Sequence, residues 1–153
     1  MNAETAFAAF ADKLVGQSIS HLWRGFGSAI FVEIGRLTPR TRSRGAPGNP
    51  QGQATLGVEW SWRIEDETSI LCGSWSEEEL WECAFDRLRG ATINRCNLFG
   101  RLPELELLTS SGVQLTTFST ADGQPQWHLL DRDADPSCAF AVSAGKLRLS
   151  HGD

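Results

Sequence analysis

Hydrophobic positions along this chain switch between two periods, and the switching marks out its elements. Over residues 3 to 15, Phe7, Phe10, Ala11 and Leu14 recur at helical spacing while Asp12 and Lys13 fall on the opposite side, which predicts an amphipathic helix. Gly16 follows the last periodic residue, where a left-handed cap costs glycine least. A second helix is predicted over residues 77 to 89. Ser76 and Glu79 have capping-box spacing, Glu77, Glu78 and Glu79 suit the positive end of the helix dipole, and Gly90 closes the element. Trp81, Ala84, Phe85 and Leu88 form its apolar face.

Elsewhere the period is two. Residues 17–24 and 28–34 read as strands on either side of Gly25-Phe26-Gly27. Residues 54–64 read as one long strand, with Leu56, Val58, Trp60, Trp62 and Ile64 on one face and Gly57, Glu59, Ser61 and Arg63 on the other. After a turn at Asp66-Glu67, residues 69–72 continue the pattern. Residues 92–99, 104–108, 113–118, 126–130, 138–142 and 146–150 follow, separated by turn residues such as Ser110-Ser111-Gly112 and Ser143-Ala144-Gly145. Connections this short join antiparallel neighbours, because parallel strands need long crossovers. The expectation is an α+β fold, a mainly antiparallel sheet with two helices packed on one face.

The two helix ends resemble each other. Residues 12–19 align with 86–93 at a constant offset of 74, with Asp12, Leu14, Gly16 and Ile19 identical to Asp86, Leu88, Gly90 and Ile93. At the same offset Phe7 meets Trp81 and Ala11 meets Phe85. The match suggests a duplication of helix-plus-strands units over about residues 3–75 and 76–150, with chance similarity as the alternative. Residues 38–53 stand apart. They hold Pro39, Pro47 and Pro50, three glycines and almost nothing apolar, which predicts a mobile surface loop between two strands.

Length and composition narrow the class. A chain of 153 residues suits a single domain with a core large enough to need no staples. A net charge of −5 argues against general affinity for nucleic acid, which requires a broad basic surface. The first residues carry no basic leader and the first apolar stretch is broken by Asp12 and Lys13, so neither a secretion signal nor a membrane span is expected and a cytoplasmic setting is. Cys72, Cys83, Cys96 and Cys138 lack close pairs and His21, His128 and His151 are scattered, so no metal site and no cofactor is expected. The cysteines then read as small buried hydrophobes.

Candidate chemistry falls in three places. Arg36, Arg40, Arg42 and Arg44 line the proline-rich loop and its approach, where guanidinium forks could clamp an acidic partner or simply keep the loop soluble. From Glu59 to Asp86 the chain holds nine acids against Arg63 alone, a local charge of −8. Within it Trp75 stands beside Glu77, Glu78 and Glu82, an aromatic anchor in an acidic field that would suit a basic protein partner; the alternative is that these glutamates only serve the helix and the tryptophans are core. Third, Glu33, Glu59, Arg63 and His128 could meet across strands as an acid–base site, or as an ordinary cross-strand ion pair. No nucleophile elbow, phosphate loop or dinucleotide fingerprint occurs. The leading expectation is a non-enzymatic binding module that engages another protein. The second is a small enzyme or ligand-binding protein with a carboxylate-containing site between sheet and helices.

Overall fold

Asn2 starts the first helix, α1 (Ala3–Leu14), by accepting a 2.8 Å hydrogen bond from the Thr5 amide, and Phe7, Phe10, Ala11 and Leu14 form its buried stripe. A computed structural model describes residues 2–123 and 125–152. Eleven strands follow or flank a second helix: β1 (Ile19–Arg24), β2 (Ile30–Ile34), β3 (Ala54–Val58), β4 (Trp62–Glu65), β5 (Ile70–Gly73), α2 (Glu79–Leu88), β6 (Ile93–Phe99), β7 (Glu104–Thr109), β8 (Gln114–Thr117), β9 (Trp127–Asp131), β10 (Cys138–Ser143) and β11 (Lys146–His151). The fold is α+β and the named strand pairs are all antiparallel, as the short connections require. The strands divide into two sheets, ordered β1-β2-β3-β9-β10-β11 and β5-β4-β8-β7-β6.

Two local expectations fail for identifiable reasons. The stretch 54–64 is not one strand. It breaks at Glu59-Trp60-Ser61, where the chain leaves the first sheet for the second, and Trp60 turns outward to 54% exposure. Leu56, Val58, Trp62 and Ile64 keep facing the core on either side of the break, so the alternation survives although the strand does not. Ser76 does not cap α2. Its hydroxyl instead bonds both the amide and the carbonyl of Gly73 at 2.9 Å, closing a turn, and α2 begins at Glu79 with no side-chain cap.

The segment between β2 and β3 folds back on itself. Thr38 and Gln51 exchange two backbone hydrogen bonds, at 2.7 and 2.9 Å, the Arg42 amide donates to the Ala46 carbonyl, and the Gly48 amide donates to the Arg40 carbonyl. Arg36, Arg40, Arg42 and Arg44 are exposed on it.

The sheets meet through paired bonds. Gly16 N–H donates to the Ile93 carbonyl at 2.8 Å and Gly90 N–H to the Ile19 carbonyl at 2.7 Å. Ile19 N–H donates to Ala91 and Ile93 N–H to Gln17, both at 2.8 Å. Each bond has its counterpart 74 residues along. Gly16 (φ 90°) and Gly90 (φ 86°) turn the chain out of each helix in the left-handed region. Beyond the junction, β1–β2 and β6–β7 both carry a register shift, between Ile19 and His21 and between Ile93 and Arg95. β3 pairs with β9 as β8 pairs with β4, so each half lends strands to the sheet of the other.

One buried cluster joins residues from both helices and both sheets. Its aromatic centres are matched as well. Phe7 meets Trp127 edge-on at 6.4 Å and Trp81 meets Trp62 edge-on at 4.8 Å, the very helix positions that the sequence offset pairs. Trp127 Nε1–H donates to the Pro103 carbonyl and Trp62 Nε1–H to the Ser28 carbonyl, so these two buried indoles are satisfied, whereas Trp81 Nε1 is buried without a hydrogen-bond partner among the described residues. Among the described residues no helix is long and apolar enough to cross a membrane.

Candidate functional site

An apolar core needs Trp81 and leaves Trp75 with no place in it. Trp81 sits on the buried stripe of α2, whereas Trp75 lies in the turn that Ser76 closes and is 79% exposed. Glu77, Glu78, Glu79 and Glu82 surround it in sequence, all exposed. Arg24, at the end of β1, ties this region to the first sheet: its guanidinium bonds Glu78 at 2.9 Å and lies 4.4 Å over the Trp81 ring.

Further bonds draw three more turns to the same region. The Ser28 hydroxyl donates to the carbonyls of Glu59 and Trp60 at 3.1 Å, Phe118 N–H donates to the Ser61 carbonyl, and Ser74 N–H donates to the Trp62 carbonyl. The segments carrying the exposed Phe26, Trp60, Trp75 and Phe118 therefore adjoin. Phe26 is fully exposed, at 100%. Scattered single hydrophobes on a surface mean little, but several aromatics on adjoining turns beside Glu77, Glu79 and Glu82, which make no ion pair among the described residues, form a patch. Of the remaining acids in this stretch, Glu65, Asp66 and Asp86 pair with Arg63, Arg87 and Arg89. Arg36, Arg40, Arg42 and Arg44 make no ion pair with it among the described residues.

The second group of candidates is only partly brought together. Glu33 and Thr55 are directly opposed on β2 and β3, on the face that alternates with the core residues Ile30, Val32 and Ile34. Glu33 thus lies on the side of the sheet away from the shared core, not between sheet and helices. Its carboxyl group is 1% exposed and its recorded partners are donors: Trp23 Nε1 at 2.7 Å, the Gly52 amide at 3.0 Å and the Thr55 hydroxyl. The guanidinium near it is that of Arg132, 3.8 Å away, which also bonds the Gly52 carbonyl and the Thr55 hydroxyl. Arg63 lies on β4 in the other sheet, bonded to Glu65. Arg132 was beyond sequence reasoning because its place depends on β9 pairing with β3, a contact between distant segments.

His128 stands one row along the same face. It lies directly across from Gly57, and a Cβ at Gly57 would fall inside the imidazole, so the ring rests on bare backbone. Burial pushes the His128 pKa below its ordinary value; Glu59 opposes that and Arg132 adds to it. Phe31, 6.2 Å from the ring, stacks in turn on Trp23 at 4.1 Å. Arg132 is itself lowered by burial, with Glu33 opposing and Arg40 adding. The cluster therefore pins the 36–53 segment to the sheet through Gly52, and Glu33 is occupied in doing so.

Comparison with known protein families, with characterised proteins and with solved structures gave no match. The functional reading rests on the surface alone. Among the described residues no group of three or more His, Cys, Asp and Glu side chains converges as a metal site would. Cys72 and Cys96 are buried, Cys138 is half-buried and Cys83 is exposed, and all four are free thiols.

Proposed function

We propose that the protein is a binding module whose acidic, aromatic surface around Trp75 receives a basic segment of another protein. The observation that carries this reading is the 79% exposure of Trp75 among exposed Glu77, Glu78 and Glu82. A large aromatic held in water gains most from being covered, and a surrounding negative field steers a positive partner onto it. Arginine is the side chain such a surface favours, since its plane stacks on indole while its fork bonds carboxylates. A cytoplasmic setting belongs to the same reading, for which a net charge of −5 is suitable. So does descent of the two halves from a duplicated unit; the matched junction bonds and matched register shifts support it.

The test compares capture of partners from native lysate by the wild type, Trp75→Ala and a triple reversal of Glu77, Glu78 and Glu82 to Lys. The expected result is a partner with a basic binding surface, retained weakly at high salt and lost by both variants. Equal capture by all three proteins, each shown to be folded, would overturn the reading.

A further inference from the structure

Asp66 and Asp131 do the same local work at the ends of β4 and β9. Asp66 Oδ1 accepts from the amides of Thr68 and Ser69, at 3.0 and 2.9 Å; Asp131 Oδ1 accepts from the amides of Asp133 and Ala134, at 3.1 and 3.3 Å. What differs is the other oxygen. Asp66 Oδ2 is taken by Arg87, in the last turn of α2, at 3.1 Å. The helix position equivalent to Arg87, 74 residues earlier, is Lys13, in the last turn of α1. Lys13 makes no ion pair among the described residues, and neither does Asp131.

Where the gap between α2 and its facing turn is closed by an ion pair, the one between α1 and its facing turn is left as a cavity of about 400 Å³ bordered by both Lys13 and Asp131. Phe10, Leu14, Ile34 and Ala54 give it an apolar floor, and Gln17 and Asp133 stand at its rim. Asp133 Oδ2 accepts from the Gln53 side-chain amide at 2.8 Å, while Asp131, with Oδ1 used in its turn, keeps Oδ2 without a partner among the described residues. A neighbouring cavity of about 450 Å³ runs on beneath Cys138 and Leu149 and shares Phe10, Lys13 and Asp131 with the first. Lys13 and Asp131 thus stand on the lining that the two cavities have in common. Volumes of this order are typical of small-molecule sites with a few polar groups for orientation.

We propose that this cleft binds a free amino acid with an apolar side chain, its carboxylate on Lys13 and Gln17, its ammonium on Asp131, and its side chain over the apolar floor. A ligand bearing both charges restores internally the pairing that Arg87 and Asp66 make beside α2. The cleft lies at the Ala54 end of β3, whereas the Trp75 surface adjoins the Glu59 end, so the two sites can be tested separately.

The experiment is an amide NMR titration of the full chain with millimolar L-leucine. Saturable shifts are expected at Gln17, Gln53 and Ala134 and none at Ser69 or Ser111, the equivalent region beside α2. Glycine, 3-methylbutylamine and 4-methylpentanoate, each lacking one recognised part, should bind at least about tenfold more weakly. Lys13→Met and Asp131→Asn, which keep the side-chain stem and the capping oxygen, should each weaken L-leucine by a similar factor. Absence of shifts at Gln17, Gln53 and Ala134, shifts of equal affinity with glycine, or unchanged binding by both folded variants would each overturn the proposal.

Discussion

Replacing Glu33 by Leu should cost about 3–5 kcal/mol of stability, the range for removing one partner of a buried ionic cluster. The figure can be built from the atoms. Leucine leaves Trp23 Nε1 and the Gly52 amide without an acceptor, and each buried orphan donor costs about 1–3 kcal/mol. The Arg132 side chain, 28% exposed, can turn toward water, so loss of its counter-charge adds little. Against a total stability of about 5–15 kcal/mol this is a large fraction. Urea unfolding followed by tryptophan fluorescence should show the midpoint fall by more than about 1 M at unchanged slope. Glu33→Gln, which keeps one carbonyl oxygen but sets an NH₂ among donors, should lose about half as much. A loss below about 1 kcal/mol for the leucine variant would refute the reasoning and return Glu33 to the list of residues held ready for chemistry. A catalytic carboxylate needs a lone pair open to substrate, and here the lone pairs are used to hold Gly52.

Four further outcomes follow from the same coordinates. Because His128 has a lowered pKa in the folded chain, its contribution is fully present above the ordinary value near 6.5 and is lost as the pH falls through the lower folded value; urea midpoints should drop through that window, and less so in His128→Gln. Gly57→Ala must displace the His128 ring and should destabilise by about 1–3 kcal/mol in the same unfolding assay. Iodoacetamide at neutral pH should label Cys83 first and spare Cys96 and Cys72, whose thiols burial pushes up to about 12 and about 11; mass spectrometry of the labelled peptides reads the order. Gly16→Ala and Gly90→Ala, where an added Cβ meets no atom within 4 Å, should each cost about 1 kcal/mol from positive φ alone, and clearly unequal losses would count against the matched junction.

Most of the fold was legible because its signals are local. The apolar stripes of both helices, the glycines after them and the short turns between strands are set by neighbours in sequence. What could not be read depends on distant segments. Alternation from Leu56 to Ile64 is the same whether the chain stays in one sheet or crosses to another, so nothing local marked Trp60 as the residue turned outward. Ser76 has capping-box spacing, but the nearby Gly73 backbone competes for the same hydroxyl and wins. Trp75 and Trp81 look alike in composition, and only the helical stripe separates the buried one from the exposed one. Arg132 and the cleft at Lys13 needed the pairing of β3 with β9 before either could be seen.

Comparing equivalent places in the two halves separates what the backbone demands from what a particular surface has been given. Gly16 and Gly90, Leu14 and Leu88, Ile19 and Ile93, and Trp62 and Trp127 agree or nearly agree, and each is a helix exit, a junction or a buried centre. Their agreement has a physical cause, since the same turn needs the same φ and the same gap between helix and sheet needs a similar volume. Outside those places the halves part. Trp23 faces Phe31 in β1–β2, where Asn97 faces Glu106 in β6–β7, and Glu33 has its counterpart near Leu108. The polar face of the second sheet stands in water with a surface ion pair between Arg95 and Glu106, while the first sheet buries a carboxyl group to hold a long arginine-bearing segment. A buried carboxyl group costs stability unless every lone pair is satisfied, and the second sheet shows that cost to be avoidable, since Leu108 stands where Glu33 would.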